Sequence, residues 1–182
     1  MKTRKEALEI LNEYVKSESL KNHCLAVAVS MEKYAEKFGE DKDKWWICGL
    51  LHDFDWEIHP TLEEHPLKGV EILREKGVDE DICVAILGHN EYTGIARESL
   101  MAKTLFAVDE LSGLVVAIAK VKGGFDKIDA NSVRNAMKKK GFAAAINRDD
   151  IRRGLEELGV DEDSHFDLVI GALAGARKNL GF

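Results

Sequence analysis

An almost entirely helical fold is predicted from three features of the sequence. Apolar residues recur at helical spacing through most of the chain, only Pro60 and Pro66 interrupt them, and no stretch shows the strict alternation of a half-buried strand. The chain has 182 residues, enough to bury roughly two-thirds of its unfolded surface in one core. With no internal repeat, low-complexity tract or long linker, a single domain over 1–182 is the simplest organisation.

The elements follow in order. Thr3 with Glu6 forms a capping-box pattern that starts a first helix, with Leu8, Leu11 and Val15 as its apolar stripe. The second helix is expected over 20–38 and stops at Gly39, a residue suited to the left-handed C-terminal turn. A third, over 41–54, is apolar nearly all round through Trp45, Trp46, Ile47, Leu50 and Leu51, which makes it the expected central helix. Pro60 and Pro66 bracket a loop. Pro66 suits the first turn of a fourth helix ending near Gly77, and Asp79 caps a fifth ending near His89. A long sixth helix over 98–121 is closed by "KGGFDKID", and the last third reads as helices over 132–140, 149–158 and 163–180 packed on the N-terminal core.

Composition narrows the class of partner. A net charge of −7, from 26 basic and 33 acidic residues, leaves no basic footprint for a phosphate backbone, so duplex nucleic acid is not the expected partner. The opening "MKTRKEALEILNEYVKSE" lacks the apolar core of a signal peptide, and "LSGLVVAIA" is too short to cross a bilayer. Cys24, Cys48 and Cys83 are odd in number, far apart and without a CxxC pair, which reads as reduced thiols. A soluble cytoplasmic protein with no membrane partner is expected.

Against this background, several polar residues stand on apolar faces. His23 follows Leu20 and precedes Ala26 and Val27 at helical spacing, and His89 continues the stripe of Ile82, Ala85 and Ile86. Asp109 shares a face with Leu105, Phe106, Ser112 and Val116, while His52 and Asp53 end the most apolar helix. An isolated buried carboxylate costs several kcal/mol unless it is neutralised, paired or bound to metal. One inward histidine is ordinarily a hydrogen-bonded core residue. Several on separate helices can share one partner, and a divalent metal ion suits imidazole nitrogen and carboxylate oxygen together. Adjacent helical residues point about 100° apart, so His52 and Asp53 reach one centre only near a helix end.

The ordered set His23, His52 with Asp53, and Asp109 resembles the H…HD…D signature of the HD-domain superfamily of metal-dependent phosphohydrolases, over 20–115. The resemblance implies a compact all-α bundle with additional C-terminal helices over 130–182, as in a common bacterial and archaeal branch of HD hydrolases. "HPLKG" at His65 and "GHN" at His89 look like the two further histidines of members with two metals. It therefore implies one metal on His23, His52, Asp53 and Asp109, and a second on His65, His89 and a bridging Asp53. Iron or manganese is favoured, with zinc, nickel, cobalt and magnesium as alternatives. Where many relatives read HDIGK, or HDxxE, this chain reads "HDFDW", so Trp56 replaces a lysine or a glutamate there.

Such a binuclear site implies hydrolysis of a small phosphoester, a nucleotide being one candidate, by a metal-activated water. Asp53 and Asp55 are the expected catalytic carboxylates, with Glu57 and His59 as further candidates for the general acid; each of Asp55, Glu57 and His59 also has a reading as a solvated loop residue or a support for a ligand. Lys68, Arg134 and Lys138 are candidate phosphate clamps, against the reading that they are a solvated helix face. Cys48, four residues before His52, reads as a small buried hydrophobe, "KGGF" is too weak for a phosphate loop, and His165 stands alone. Two alternatives share the resemblance: a mixed-valent di-iron oxygenase, and a non-catalytic nucleotide-binding module.

Overall fold

The computed structural model describes residues 2–182, and among them nine α-helices and no strand. Helix α1 (Arg4–Tyr14) starts on the Thr3–Glu6 capping box. Its buried face is Ala7, Ile10, Leu11 and the following Val15, whereas Leu8 is 39% exposed. The stripe is thus rotated from the one expected. Helix α2 (Glu18–Phe38) is capped by Ser17 and ends in a left-handed Gly39. Helix α3 (Lys42–Leu51) opens on the Asp41 carboxylate, which accepts from the backbone N–H groups of Asp43 and Lys44.

Helix α3 stops short of the expected Phe54. Beyond it the chain tightens into successive turns, with the N–H of Trp56 donating to the Asp53 carbonyl and that of Ile58 to the Asp55 carbonyl. Helices α4 (Leu67–Glu75), α5 (Glu80–Gly88) and α6 (Leu100–Lys122) complete the N-terminal set. They are followed by α7 (Ala130–Lys138), α8 (Arg148–Leu158) and α9 (Glu162–Gly175). Helix α9 ends earlier than expected because the Ala176 N–H turns to the Leu173 and Ala172 carbonyls, and the tight turns that follow return Leu180 to the core.

Every residue from Trp45 to Leu51 is buried, as the apolar surface of α3 requires. The hub is α6, which packs against α2, α3, α5, α7, α8 and α9. Two crossings are very close. A Cβ on Gly49 of α3 would lie 2.8 Å from the Ala28 Cα of α2, and one on Gly154 of α8 would lie 2.6 Å from the Ala107 Cα of α6. The second crossing fixes α8 along the half of α6 that carries Asp109. Buried polar pairs pin the same helices: Ser30 and Ser112 hydroxyls lie 3.0 Å apart between α2 and α6, and Tyr34 of α2 meets His165 of α9. Among the described residues, no helix is long and apolar enough to cross a membrane.

Candidate metal centre

The end of α3 aims the first ligand candidates. His52 is fully buried, and its Nδ1–H donates to the Gly49 carbonyl at 2.8 Å, using an acceptor left over at the helix C-terminus. His89, the residue after α5, does the same to the Ile86 carbonyl. His65 instead donates from Nδ1 to Asp55 Oδ1 at 2.8 Å. With Nδ1 the donor in all three neutral rings, each Nε2 carries an outward lone pair. Yet His65 Nε2 and His89 Nε2 face each other at 3.1 Å. Two lone pairs at that distance repel unless a cation stands with them, so the donor set fits a bound metal ion.

The carboxylates complete two groups. Asp109 Oδ1 lies 3.0 Å from His23 Nε2 and 3.3 Å from His52 Nε2, while the two imidazole Nε2 atoms are 3.2 Å apart. Asp53 divides its oxygens: Oδ2 is 3.5 Å from His23 Nε2 and 3.4 Å from His52 Nε2, and Oδ1 is 3.2 Å from His65 Nε2 and 3.5 Å from His89 Nε2. Donor atoms within His23, His52 and Asp109, and within Asp53, His65 and His89, all approach within 4.8 Å of one another. Either group could hold a divalent ion.

Protonation tells the same story. Burial opposes the charged form of Asp53 and Asp109, but the facing imidazoles hold both carboxyls below the usual carboxylate range. Burial pushes His52 down, yet Asp53 and Asp109 hold it well above an ordinary imidazole. Against its own burial, His65 is raised to about 9 by Asp53 and Asp55. The cluster demands positive charge, from protons or from metal.

His23, Asp53, His65, His89 and Asp109 form the floor of a cleft of about 440 Å³, with His52 buried behind them. Trp56, Leu62, Glu91, Tyr92 and Phe106 form one part of its wall, and Glu110, Asn147, Asp150 and Arg153 another. The Trp56 ring meets the His65 ring edge-on with centroids 5.0 Å apart, so the residue that replaces a charged one in the "HDFDW" segment buttresses a ligand candidate. Burial and the neighbouring Asp109 push the Glu110 carboxyl up to about 7.

The family model described as HD domain matches residues 20–114, a span that contains all six residues of the two groups. The chain belongs to the HD domain family. HD domains bind divalent metals, their superfamily is one of metal-dependent phosphohydrolases, and the matched span holds histidine and aspartate groups that could hold such an ion. No solved structure matches this HD protein.

Other expected site residues lie elsewhere. Asp55 is fully buried and does not line the cleft; it stands behind His65, and its Oδ2 has no hydrogen-bond partner. It is placed to orient an imidazole, not to protonate a leaving group in the cleft. Glu57 accepts from the backbone N–H groups of Lys16 and Ser17 at 2.9 and 2.8 Å, which spends it at the start of α2, and His59 faces Glu64. Lys68 pairs with Glu64 one turn earlier on the surface. Arg134 pairs with Glu162 and Asp163, and with Lys138 it lines a separate groove beside α8 and α9. None of these three cations lines the cleft, because each sits on a helix face turned towards nearby surface carboxylates or another groove. Burial pushes the Cys48 thiol up to about 12, which leaves it a core residue. His165 is fully buried and bonded to Tyr34 and the Ala107 carbonyl, a structural histidine.

Conversely, Glu110 and the α8 wall went unrecognised in the sequence. Glu110 follows Asp109 directly, and Asn147, Asp150 and Arg153 recur every third residue along one flank of the buried Ile151 and Gly154. That spacing was a visible signal for one helix face; what the face looks onto was not.

Proposed function

We propose that this HD protein is a metal-dependent phosphohydrolase that acts on a small phosphoester, with two divalent ions held by His23, His52 and Asp109, by His65 and His89, and by Asp53 between them. The observation that carries the reading is the division of Asp53, one oxygen towards each histidine pair. Two ions held in this way supply a water activated near neutral pH and a polarised phosphoryl oxygen. The mixed nitrogen and carboxylate donor set suits iron and manganese, which the family resemblance favours, and also zinc, nickel, cobalt or magnesium.

The chain's own contribution is positional. The Nδ1 hydrogen bonds of His52, His65 and His89 fix which nitrogen each ring presents. Trp56 and Phe106 narrow access of bulk water to the floor. A cleft of about 440 Å³ suits a molecule of nucleotide size or smaller.

The reading is tested by purifying the protein without chelator, measuring metal content, and assaying a broad phosphoester panel with manganese, iron, cobalt, nickel, zinc or magnesium. Turnover of at least one ester and two metals per chain are expected. Inactivity with every metal overturns it. Oxygen consumption with a paramagnetic iron pair and no phosphoester turnover would replace it with the di-iron oxygenase, and tight nucleotide binding without turnover with the binding module.

A further inference from the structure

Above the floor, the cleft is acidic and almost without free positive charge. Glu91, Glu110 and Asp150 line it, and among its lining residues Arg153 is the sole lysine or arginine. That arginine is committed: its guanidinium pairs with Glu91 across the cleft wall and with Asp150 on its own helix, and lies 5.5 Å from the centroid of the Phe106 ring. Arg97, the next cation, is stacked 3.7 Å from the same centroid and spent on Glu157 and on the Gly88 carbonyl.

Resting on the phosphohydrolase reading, we propose that the cleft selects a phosphomonoester whose organic body carries hydroxyl or amino groups and no second anionic group beside the phosphate. A single phosphoryl group finds the metal floor. A second phosphoryl or carboxylate group above it meets Glu91 and Asp150, whose partners Arg153 and Arg97 are each already shared between two carboxylates. Like charges brought together in a binding site weaken binding. A hydroxyl or ammonium group at the same place finds carboxylate acceptors, and charge assistance strengthens those bonds. Trp56 and Tyr92, 37% and 65% exposed, add flat apolar surface for the rest of the body. Asp150 and Arg153 lie on α8, outside the matched span of 20–114, whereas Glu91 lies within it, so the acidic wall joins the HD core to the C-terminal helices.

The test uses phosphonates, whose carbon–phosphorus bond resists hydrolysis: 3-aminopropylphosphonate, 3-hydroxypropylphosphonate and 3-phosphonopropionate, titrated calorimetrically into manganese-loaded protein. They share chain length and phosphonate group and differ at the far end. The amino and hydroxyl compounds are expected to bind more tightly than the carboxylate, the latter weaker by roughly tenfold or more. In the Glu91→Gln/Asp150→Asn double variant that ratio should shrink towards one. Because the readout is a ratio within one protein, a partly misfolded variant weakens all three ligands and leaves the ratio interpretable. Equal or tighter binding of the carboxylate compound by the wild-type protein, or an unchanged ratio in the variant, overturns the selectivity. Failure of all three to bind metal-loaded protein removes instead the phosphohydrolase reading on which it rests.

Discussion

His52 and His165 are both fully buried imidazoles on inward faces, and they do opposite things. His165 accepts from the Tyr34 hydroxyl at Nδ1, 2.5 Å away, and donates from Nε2 to the Ala107 carbonyl at 3.2 Å. Its neutral ring is fully satisfied, and burial pushes its pKa down to about 4. His52 spends Nδ1 on Gly49 and leaves Nε2 among His23, Asp53 and Asp109. Burial depth therefore does not separate a structural histidine from a ligand. The separating quantity is the nitrogen left over once the protein's own hydrogen bonds are counted.

The most severe way to break the cluster side of this contrast is Asp53→Ala. It removes the carboxylate that faces both histidine pairs, so the Nε2 atoms of His65 and His89 lose their only facing carboxylate in the cleft. Phosphoester turnover should fall by at least roughly a thousandfold, and metal measured after gel filtration should drop below that of the wild-type protein. A variant that keeps its full metal load would show that Asp53 is not shared between two ions.

Asp55→Asn probes the support behind one ligand. The carboxylate holds His65 Nδ1, and α4 comes close enough to wall it in only because residue 69 is glycine: a Cβ there would fall 2.3 Å from the carboxylate. Loss of the charge should weaken metal binding at His65 and His89 by about 10–100-fold while leaving the group around His23 loaded. Gly69→Ala, which displaces the same carboxylate without altering its chemistry, should act in the same direction. Competition titrations with a metal-sensitive dye measure both, and equal weakening of the two groups would remove Asp55 from its assigned place.

What the sequence revealed follows from the same accounting. His23, His52, Asp53 and Asp109 stood out because each breaks an apolar face at helical spacing, and a broken face is a local pattern. His89 stood out in the same way, on the stripe of Ile82, Ala85 and Ile86, while His65 emerged only through the resemblance. Helix starts were legible near Thr3 and Asp41, whereas α7, expected from 132, begins earlier at Ala130 because Asp129 caps it. The end of α3 was legible at "HDFDW", but its last residues to Phe54 were misplaced, since the apolar Phe54 continues the helical pattern while the chain tightens into turns. The cleft wall was hidden for a tertiary reason: Asp150 and Arg153 read as a solvated face until Gly154 lets α8 settle against Ala107. Lys68 and Arg134 drew attention as cations, but their counter-ions are Glu64, Glu162 and Asp163, which no spacing rule for phosphate clamps excludes.

The smallest expected effect belongs to the satisfied histidine. His165→Leu strands the Tyr34 hydroxyl in the core and should cost about 1–3 kcal/mol near neutral pH, with metal content and the phosphonate selectivity unchanged. Its pH dependence separates it from an ordinary core lesion. In the unfolded chain His165 takes a proton near 6.5, as an ordinary imidazole does, whereas in the folded chain burial defers protonation to about 4. Between those values the unfolded state binds more protons, so wild-type stability falls as the pH falls, by at most about 1.4 kcal/mol per pH unit from this group. Above that window the group adds no slope. The leucine variant lacks the proton, so its stability curve should be shallower on the acid side and approach that of the wild-type protein towards pH 4. Urea midpoints across this range measure the convergence, and parallel curves would assign the acid sensitivity to the cluster around His52 instead.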